Sequence, residues 1–206
     1  MIGYLSLLDE VKDMPTIQRE KYIKIALEKS YRLEDLINEL FDITRFNSET
    51  IVLEKEKLNI KLMLEQMIDD FYPVLKEENK KIDLICCENP CVYGDPNKLA
   101  RVFSNLIKNA IFYSLEDTIQ IEVKKTKEEI QCVIANKGKE IPKEKLQKIF
   151  EKFYRMDYSR TSKTGGSGLG LAIAKEIVEL HGGKIYATSD SEFTKFYVHL
   201  PYKEIS

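Results

Sequence analysis

The hydrophobic positions of the chain predict a helical segment followed by a mixed domain. Apolar residues recur every three or four positions between residues 17 and 46, and Pro15 separates them from a shorter helical pattern at residues 2–8. One long helix and part of another cannot bury an amphipathic stripe of this length. We therefore expect residues 1–48 to form a partial helical hairpin that packs against a second copy, with an ordinary helix covering a sheet as the alternative.

The second part of the chain, residues 49–206, has the pattern of one compact α+β domain. After a short alternating stretch at residues 51–58, β-branched and aromatic residues concentrate in strand-like runs that are separated by helical patterns. Such an order predicts a mixed sheet covered by helices on one face. The helices are predicted at residues 62–78, 96–113, 143–149 and 169–181, and the strands at residues 82–86, 119–124, 130–135, 184–187 and 193–199.

The composition excludes several classes of protein. Of the 206 residues, 43% are hydrophobic, which is enough for one ordinary core and excludes a disordered chain. The 32 basic and 34 acidic residues leave a formal charge of -2, so no general field attracts nucleic acid or an anionic membrane. The four cysteines lack metal-ligand spacing, and no apolar run is long enough to cross a membrane. We expect a cytoplasmic polypeptide with reduced thiols, whose abrupt helical start indicates a missing upstream segment.

Two asparagines in the predicted helix at residues 96–113 are the first candidates for chemistry. Asn105 and Asn109 are four residues apart and therefore lie on the same face of the helix. Each offers a neutral amide oxygen, which suits Mg²⁺ when waters and substrate phosphates complete its coordination. Two ordinary helical asparagines with local hydrogen-bond partners are the alternative.

A cluster of glycines leads directly into the helix predicted at residues 169–181. Backbone N–H groups and the positive end of a helix dipole attract phosphate, and glycines allow the anion to approach closely. The spacing matches neither a Walker loop nor a dinucleotide-binding fingerprint, and a flexible linker is the alternative. The predicted phosphate cradle consists of Gly166, Ser167, Gly168, Leu169 and Gly170.

Two further segments lie between the asparagines and the glycines. Asn136 and Gly138 follow a predicted strand, where the glycine could admit a flat ring and the amide could bind it. The segment at residues 149–163 is long enough for a lid and combines aromatic residues with cations. Binding of nucleic acid is the competing use of such residues, but the nearly neutral chain favours a small polyanion.

These motifs, in this order, closely resemble the ATP-binding domain of sensor histidine kinases, which shares the Bergerat ATP fold with gyrase and Hsp90. The resemblance extends over essentially the whole chain and implies an α+β, two-layer α/β sandwich that binds ATP and Mg²⁺. The helical start resembles the dimerisation and phosphotransfer hairpin of that family. Several stretches are particularly similar to the sensor kinases of vancomycin resistance, namely residues 2–10, 31–34, 71–73, 94–103 and 149–155.

The resemblance also implies roles for individual residues. Asn109 would ligate Mg²⁺, and Asn105 would lie beside the phosphates. Tyr113 and Thr194 would lie near the adenine. Gly138 and Ile141 belong to the box that holds the base, and the glycines from Gly166 to Gly170 would bind the phosphates. The cations of the lid that would contact the phosphates are Arg155, Arg160 or Lys163.

Three positions depart from the pattern of this family. Asn136 stands where an aspartate usually accepts a hydrogen bond from the adenine amino group, so we expect weaker or altered base preference. Glu140 replaces a glycine, and Phe112 replaces a lysine or arginine. Both substitutions remove parts of the ordinary site, for which the cations of the lid would compensate.

The resemblance places the phospho-accepting histidine immediately upstream of residue 2. His181 and His199 are the only histidines in the chain, and we expect both to be structural, so the chain should not phosphorylate itself. The leading hypothesis is the kinase core of a membrane-anchored two-component sensor, with a response regulator and a second copy of the chain as partners. The alternatives are an ATP-sensing module without turnover and an ATP hydrolase. In hydrolases such as gyrase, a glutamate stands at the position of Asn105 and acts as a base, which an asparagine cannot do.

Overall fold

The structure is a computed structural model that describes residues 2–11, 14–46, 52–156 and 167–202. The chain divides into two compact units, Met1–Thr50 and Ile51–Ser206. None of the helices in the described ranges is both long and apolar enough to cross a membrane.

The first unit is a pair of helices, α1 (Ile2–Glu10) and α2 (Thr16–Phe46). The helix α1 folds back along the first turns of α2, where the rings of Tyr4 and Tyr22 lie 5.4 Å apart. Pro15 lies between the two helices, and its carbonyl oxygen accepts the first N–H groups of α2. Many apolar side chains of α2 are exposed, among them Ile23, Leu27, Ile37, Leu40 and Phe41. This unit therefore leaves a large part of its apolar stripe uncovered.

The described residues of the second unit form a five-stranded sheet, a separate two-stranded ribbon and three α-helices. The helices are α3 (Ile60–Glu77), α4 (Pro96–Tyr113) and α5 (Gly170–Leu180). The strands are β1 (Glu56–Asn59), β2 (Lys81–Cys86), β3 (Cys91–Gly94), β4 (Thr118–Lys125), β5 (Glu129–Asn136), β6 (Lys184–Ser189) and β7 (Thr194–Pro201).

The five-stranded sheet has the order β2-β4-β5-β7-β6, and β1 pairs separately with β3. The strands β2 and β4 are parallel, and the other neighbours in the sheet are antiparallel. Alternate residues of β4 and β7 are buried, as expected when helices cover one face of a sheet. The core between the layers includes Phe103, Leu106, Ile121, Ile134 and Ile173, all of which are fully buried. The predicted mixed sheet with helices on one face is confirmed.

Capping residues explain where the helices begin and end. Asp95 caps α4, because one of its carboxylate oxygens accepts the backbone N–H of Lys98 at 3.0 Å, and Pro96 occupies the first turn. Asn59 caps α3 in the same way. Gly182 has a φ of +74° directly after α5, a conformation that glycine adopts without strain. The caps at Asp95 and Gly182 thus define the start of α4 and the end of α5, the two helices that border the site described below.

Two predicted helices need correction, and two short strands were not predicted. The helix predicted at residues 143–149 is two short 3₁₀ turns, Lys143–Lys145 and Lys148–Phe150. The alternating stretch at residues 51–58 was not assigned a strand, but Glu56–Asn59 forms one; residue 51 lies outside the described residues. The helix predicted from residue 62 begins at Ile60, because Asn59 caps it. The sequence analysis also missed β3, a strand of four residues.

The two histidines have protein partners. The Nε2 atom of His181 accepts the backbone N–H of Asp95 at 3.0 Å, and its Nδ1 atom donates to the carbonyl oxygen of Ile177 at 2.7 Å. His199 Nδ1 lies 2.7 Å from a carboxylate oxygen of Glu129. These contacts link α5 to the start of α4 and β7 to β5, which agrees with the structural roles expected for both histidines.

All four cysteines are free thiols. Burial, followed by the neighbouring Cys87, raises the pKa of Cys86 to about 11. Burial also raises the pKa of Cys132, which is fully enclosed in β5. Protonated thiols of this kind are poor nucleophiles.

Candidate functional site

A cavity of about 250 Å³ opens between the end of α4, the end of β5 and the beginning of α5. Its walls are largely apolar, and its polar lining consists of two amides, several hydroxyls and two cations. The described residues that line it include no aspartate or glutamate, so the cavity suits a ligand with an apolar ring and negative charge. The lining residues are Asn109, Phe112, Tyr113, Ser114, Leu115, Asn136, Gly138, Lys139, Ile141, Ile149, Tyr154, Arg155, Met156, Leu171, Thr194 and Phe196.

Asn136 and Thr194 form the polar end of the cavity. Asn136 is the last residue of β5 and lies directly opposite Thr194, the first residue of β7. Both side chains are buried, with exposed fractions of 2% and 6%. The Thr194 hydroxyl lies 2.8 Å from the hydroxyl of Ser189, which in turn accepts the backbone N–H of Ile141 at 3.0 Å. This chain of hydrogen bonds ties the loop after β5 to the sheet.

Gly138 allows the backbone after β5 to pass close to the end of α4. A β-carbon at this position would lie 2.9 Å from the carbonyl oxygen of Tyr113 and 3.1 Å from Nδ2 of Asn136. Tyr113, Ser114 and Gly138 form one wall of the cavity. Lys80 stabilises this wall, because its ammonium group donates a hydrogen bond to the carbonyl oxygen of Ser114 at 2.7 Å. Any larger residue at position 138 would therefore push the wall of the cavity away from α4.

The helices α4 and α5 meet at the asparagine face predicted from the sequence. Asn105 donates its side-chain N–H to the carbonyl oxygen of Gly170 at 2.9 Å. A β-carbon on Gly170 would lie 3.3 Å from Cγ of Asn105, so a glycine permits this close contact. Asn109, one turn further along α4, faces the cavity. Leu169, the N-cap of α5, has an apolar side chain that makes no capping hydrogen bond, and the backbone N–H groups of the first turn of α5 lie beside the two asparagines.

The described start of the predicted lid is joined to the predicted phosphate cradle. Phe153 donates its backbone N–H to the carbonyl oxygen of Gly168 at 3.0 Å. Gly168 has a φ of +79°, and a β-carbon there would lie 2.9 Å from backbone atoms of Phe153 and Tyr154. Lys152 forms an ion pair of 2.8 Å with Glu176 on α5. The base of the lid is therefore fixed to α5.

The structure brings most of the predicted site residues together. Seven of them line the cavity, and Asn105, Ser167, Gly168, Leu169 and Gly170 lie beside it at the start of α5. Arg160, Lys163 and Gly166 lie outside the described residues. The seven that line the cavity are Asn109, Tyr113, Asn136, Gly138, Ile141, Arg155 and Thr194.

The sequence analysis did not assign a set of mostly apolar wall residues to the site. Most of them are apolar, and the hydrophobic pattern does not separate such residues from core positions. Three of them, Ile149, Tyr154 and Met156, lie in the segment that was predicted as a lid, and the position of Lys139 next to Gly138 was a usable signal. The unassigned wall residues are Phe112, noted above as a departure from the family pattern, and Ser114, Leu115, Lys139, Ile149, Tyr154, Met156, Leu171 and Phe196.

Comparison with known families assigns this site to a class. Residues 94–204, more than half of the chain, match the family model described as histidine kinase-, DNA gyrase B- and HSP90-like ATPase. The chain belongs to this ATPase family, and the matched range includes every residue that lines the cavity.

Among curated proteins, the chain is similar to sensor protein VanS of Enterococcus faecium. The two are 52% identical over 202 residues, which make up 98% of the chain and 52% of VanS. The chain thus spans about half the length of this relative. The resemblance to sensor histidine kinases, and to this subfamily in particular, is confirmed.

Solved structures support the same fold. The histidine kinase AdeS of Acinetobacter baumannii superposes with a TM-score of 0.81 at 21% identity, covering 98% of the chain and 93% of AdeS. The histidine kinase ThkA, solved in complex with the response regulator protein TrrA, has a TM-score of 0.73 at 26% identity, covering 98% of the chain and 56% of ThkA.

Proposed function

We propose that the chain is the kinase core of a two-component sensor. It binds Mg·ATP in the cavity between α4, β5 and α5 and passes the γ-phosphoryl group to a histidine outside this sequence. A response regulator then receives the phosphoryl group on an aspartate. The similarity to VanS extends the proposal to vancomycin-resistance signalling by a membrane-anchored parent protein, whose cytoplasmic portion this chain would be.

The observation that carries the proposal is the meeting of three different features at one cavity. An apolar pocket ends at the buried amide of Asn136, the amide of Asn109 faces the same space, and the uncapped start of α5 adjoins it. An aromatic base fits the first feature, a hydrated cation fits the second and phosphate groups fit the third. Among common metabolites, a nucleoside triphosphate combines all three.

The residues of the site fit magnesium that arrives with the nucleotide. Asn109 offers one neutral oxygen, and no acidic residue is among the described residues that line the cavity. The described part of the chain also holds no cluster of three or more His, Cys, Asp or Glu side chains suited to a metal. Asn109 would therefore hold the ion together with phosphate oxygens and waters, and the ion would neutralise charge on the phosphates.

The described side chains of this site can position a phosphoryl group, and none of them is a carboxylate that could act as the base for hydrolysis. Asn105 is neutral, and its N–H group is already bonded to the carbonyl oxygen of Gly170. Lys139 and Arg155 add positive charge at the cavity. Catalysis would therefore depend on orientation and charge neutralisation, with an external histidine as the nucleophile. This arrangement favours transfer over hydrolysis.

The proposed function implies two kinds of partner, a response regulator and a second copy of the chain. ThkA is bound to a response regulator in its solved complex, and we propose a partner of this class here. The exposed apolar residues of α2 fit self-association through the helical unit. We propose a homodimer that forms through this helical unit.

A transfer experiment tests the kinase proposal directly. The chain is incubated with magnesium, γ-labelled ATP and a separate hairpin polypeptide that carries the histidine box. We expect acid-labile label on the polypeptide, and no label when its histidine is replaced by glutamine or when the chain carries Asn109→Ala. Intact nucleotide binding without label would instead support the sensing module. Steady phosphate release that is abolished by Asn105→Ala would support the hydrolase.

A further inference from the structure

We propose that this site accepts guanosine triphosphate nearly as well as adenosine triphosphate, because the group that reads the base is an amide. The inference rests on the proposed function, since it concerns the base of the nucleotide that the cavity binds. It assigns to Asn136 the role of a specificity-determining residue that tolerates both purines.

Asn136 is the buried polar residue of the cavity whose side chain has no partner among the described residues. Three buried polar residues line the cavity, and two of them are satisfied within the protein. The hydroxyl of Ser114 donates to the carbonyl oxygen of Glu116 at 2.9 Å, and the hydroxyl of Thr194 is paired with that of Ser189 at 2.8 Å. Asn136 is 2% exposed, and its side chain makes no hydrogen bond to any residue in the described ranges. Its amide atoms are not among the fully enclosed atoms that lack a partner, so they are open to the cavity, where a ligand can bond to them.

The chemistry of an amide matches both purines. Adenine carries an amino group at position 6, which donates a hydrogen bond, whereas guanine carries a carbonyl oxygen there, which accepts one. An asparagine side chain has one oxygen that accepts and one NH₂ group that donates, and a half turn about its terminal bond exchanges the two. An ionised carboxylate at this position could only accept, so it would bind adenine and repel the oxygen of guanine.

The surroundings of Asn136 leave room for this exchange. A β-carbon on residue 138 would lie 3.1 Å from Nδ2 of Asn136, which is closer than normal packing allows. Glycine removes that atom, so the amide can present either end to the base. The neighbouring walls include Ile141, Met156 and Phe196, whose apolar surfaces contact a purine ring without distinguishing its substituents.

Calorimetric titration of the full chain with magnesium and non-hydrolysable analogues of the two nucleotides tests the proposal. The analogues are AMPPNP and GMPPNP, and the quantity of interest is the ratio of their dissociation constants. The test variant is Asn136→Asp, measured at pH 8 so that the new carboxyl group is ionised. The matched control is Asn59→Asp, which makes the same chemical change at the cap of α3, where aspartate also caps well.

For the unchanged chain and for Asn59→Asp, we expect the two dissociation constants to agree within about tenfold. For Asn136→Asp, we expect the ratio to shift toward AMPPNP by about tenfold or more, since one hydrogen bond is replaced by a repulsive contact. A larger preference for AMPPNP in the unchanged chain, or a ratio that Asn136→Asp does not shift, would overturn the inference while leaving the proposed function intact. Failure of both analogues to bind would overturn the proposed function and the inference together.

Discussion

At the scale of single residues, two asparagines on the same face of α4 have different surroundings. Asn105 is bonded to the carbonyl oxygen of Gly170 and so joins α4 to α5. Asn109 faces the cavity, and no hydrogen bond links its side chain to a residue in the described ranges. The first residue therefore serves the fold and the second is available to a ligand, although sequence spacing alone makes them look equivalent.

This difference predicts that two matched substitutions affect different quantities, the stability of the fold in one case and the affinity for nucleotide in the other. Asn105→Ala should lower the free energy of unfolding by about 1 kcal/mol, because it removes a hydrogen bond and leaves a carbonyl oxygen without its partner. Asn109→Ala should leave that free energy nearly unchanged and weaken binding of Mg·AMPPNP at least tenfold, since it removes a ligand of the bound ion. Urea unfolding and calorimetric titration measure the two quantities. Equal losses of stability in both variants would contradict the assignment.

At the scale of elements, the sequence predicted the helices more reliably than the short strands and turns. The bounds of α4 were correct because Asp95 and Pro96 signal its start, and those of α5 were nearly correct because Gly182 and Gly183 follow its end. The strand β3 was missed because a run of four residues carries almost no periodicity. The turns at residues 143–150 have good helix formers, but their chain is too short to complete a stable α-helix.

The candidate site was predictable where polar or glycine residues mark it and not where apolar residues do. Asn136, Gly138 and Gly168 stood out because each has a residue type that is unusual for its position. Met156 and Phe196 did not, since their contribution to the cavity depends on contacts between segments distant in sequence. The shape of the wall is a property of the tertiary structure.

The link between α4 and α5 through His181 predicts a dependence of stability on pH. Burial lowers the pKa of this histidine below its ordinary value of 6.5, and the neutral ring accepts the N–H of Asp95. The unfolded chain therefore binds a proton at higher pH than the folded chain does. The stabilising effect of the neutral ring is complete above about pH 6.5 and is lost as the pH falls below that value.

Urea unfolding at pH 7.5 and pH 5.5 measures this effect. We expect His181→Gln to be less stable than the unchanged chain at pH 7.5 by about 1 to 2 kcal/mol, because it disturbs two buried hydrogen bonds. Between pH 7.5 and pH 5.5, the free energy of unfolding of this variant should decrease less than that of the unchanged chain. The assignment would be wrong if acidification destabilised both proteins equally.

At the scale of the whole molecule, the chain consists of two units with different surfaces. The unit Ile51–Ser206 has a closed core between sheet and helices, whereas the unit Met1–Thr50 leaves much of its apolar stripe exposed. All described residues that line the cavity belong to the former. Binding of nucleotide and self-association should therefore be separable.

A shortened chain of residues 52–206 tests this separation. We expect it to fold, to bind Mg·AMPPNP with the affinity of the full chain within about twofold, and to be monomeric in light scattering, since it keeps its own core and lacks α2. The full chain should self-associate, and the double substitution Ile23→Lys and Leu27→Lys should weaken that association without changing nucleotide affinity. Loss of nucleotide binding in the shortened chain would show that the two units are interdependent.

The hydrogen bond between Phe153 and Gly168 has a consequence for how this domain tolerates variation. The oxygen that accepts this bond belongs to a residue with a φ of +79°, and any β-carbon there would lie 2.9 Å from backbone atoms of Phe153 and Tyr154. A side chain at position 168 would be strained by its own backbone conformation and would force these two backbone segments apart. Every substitution of Gly168 should therefore break this bond, so mutational tolerance at this position should be lower than at the exposed surface of the same domain.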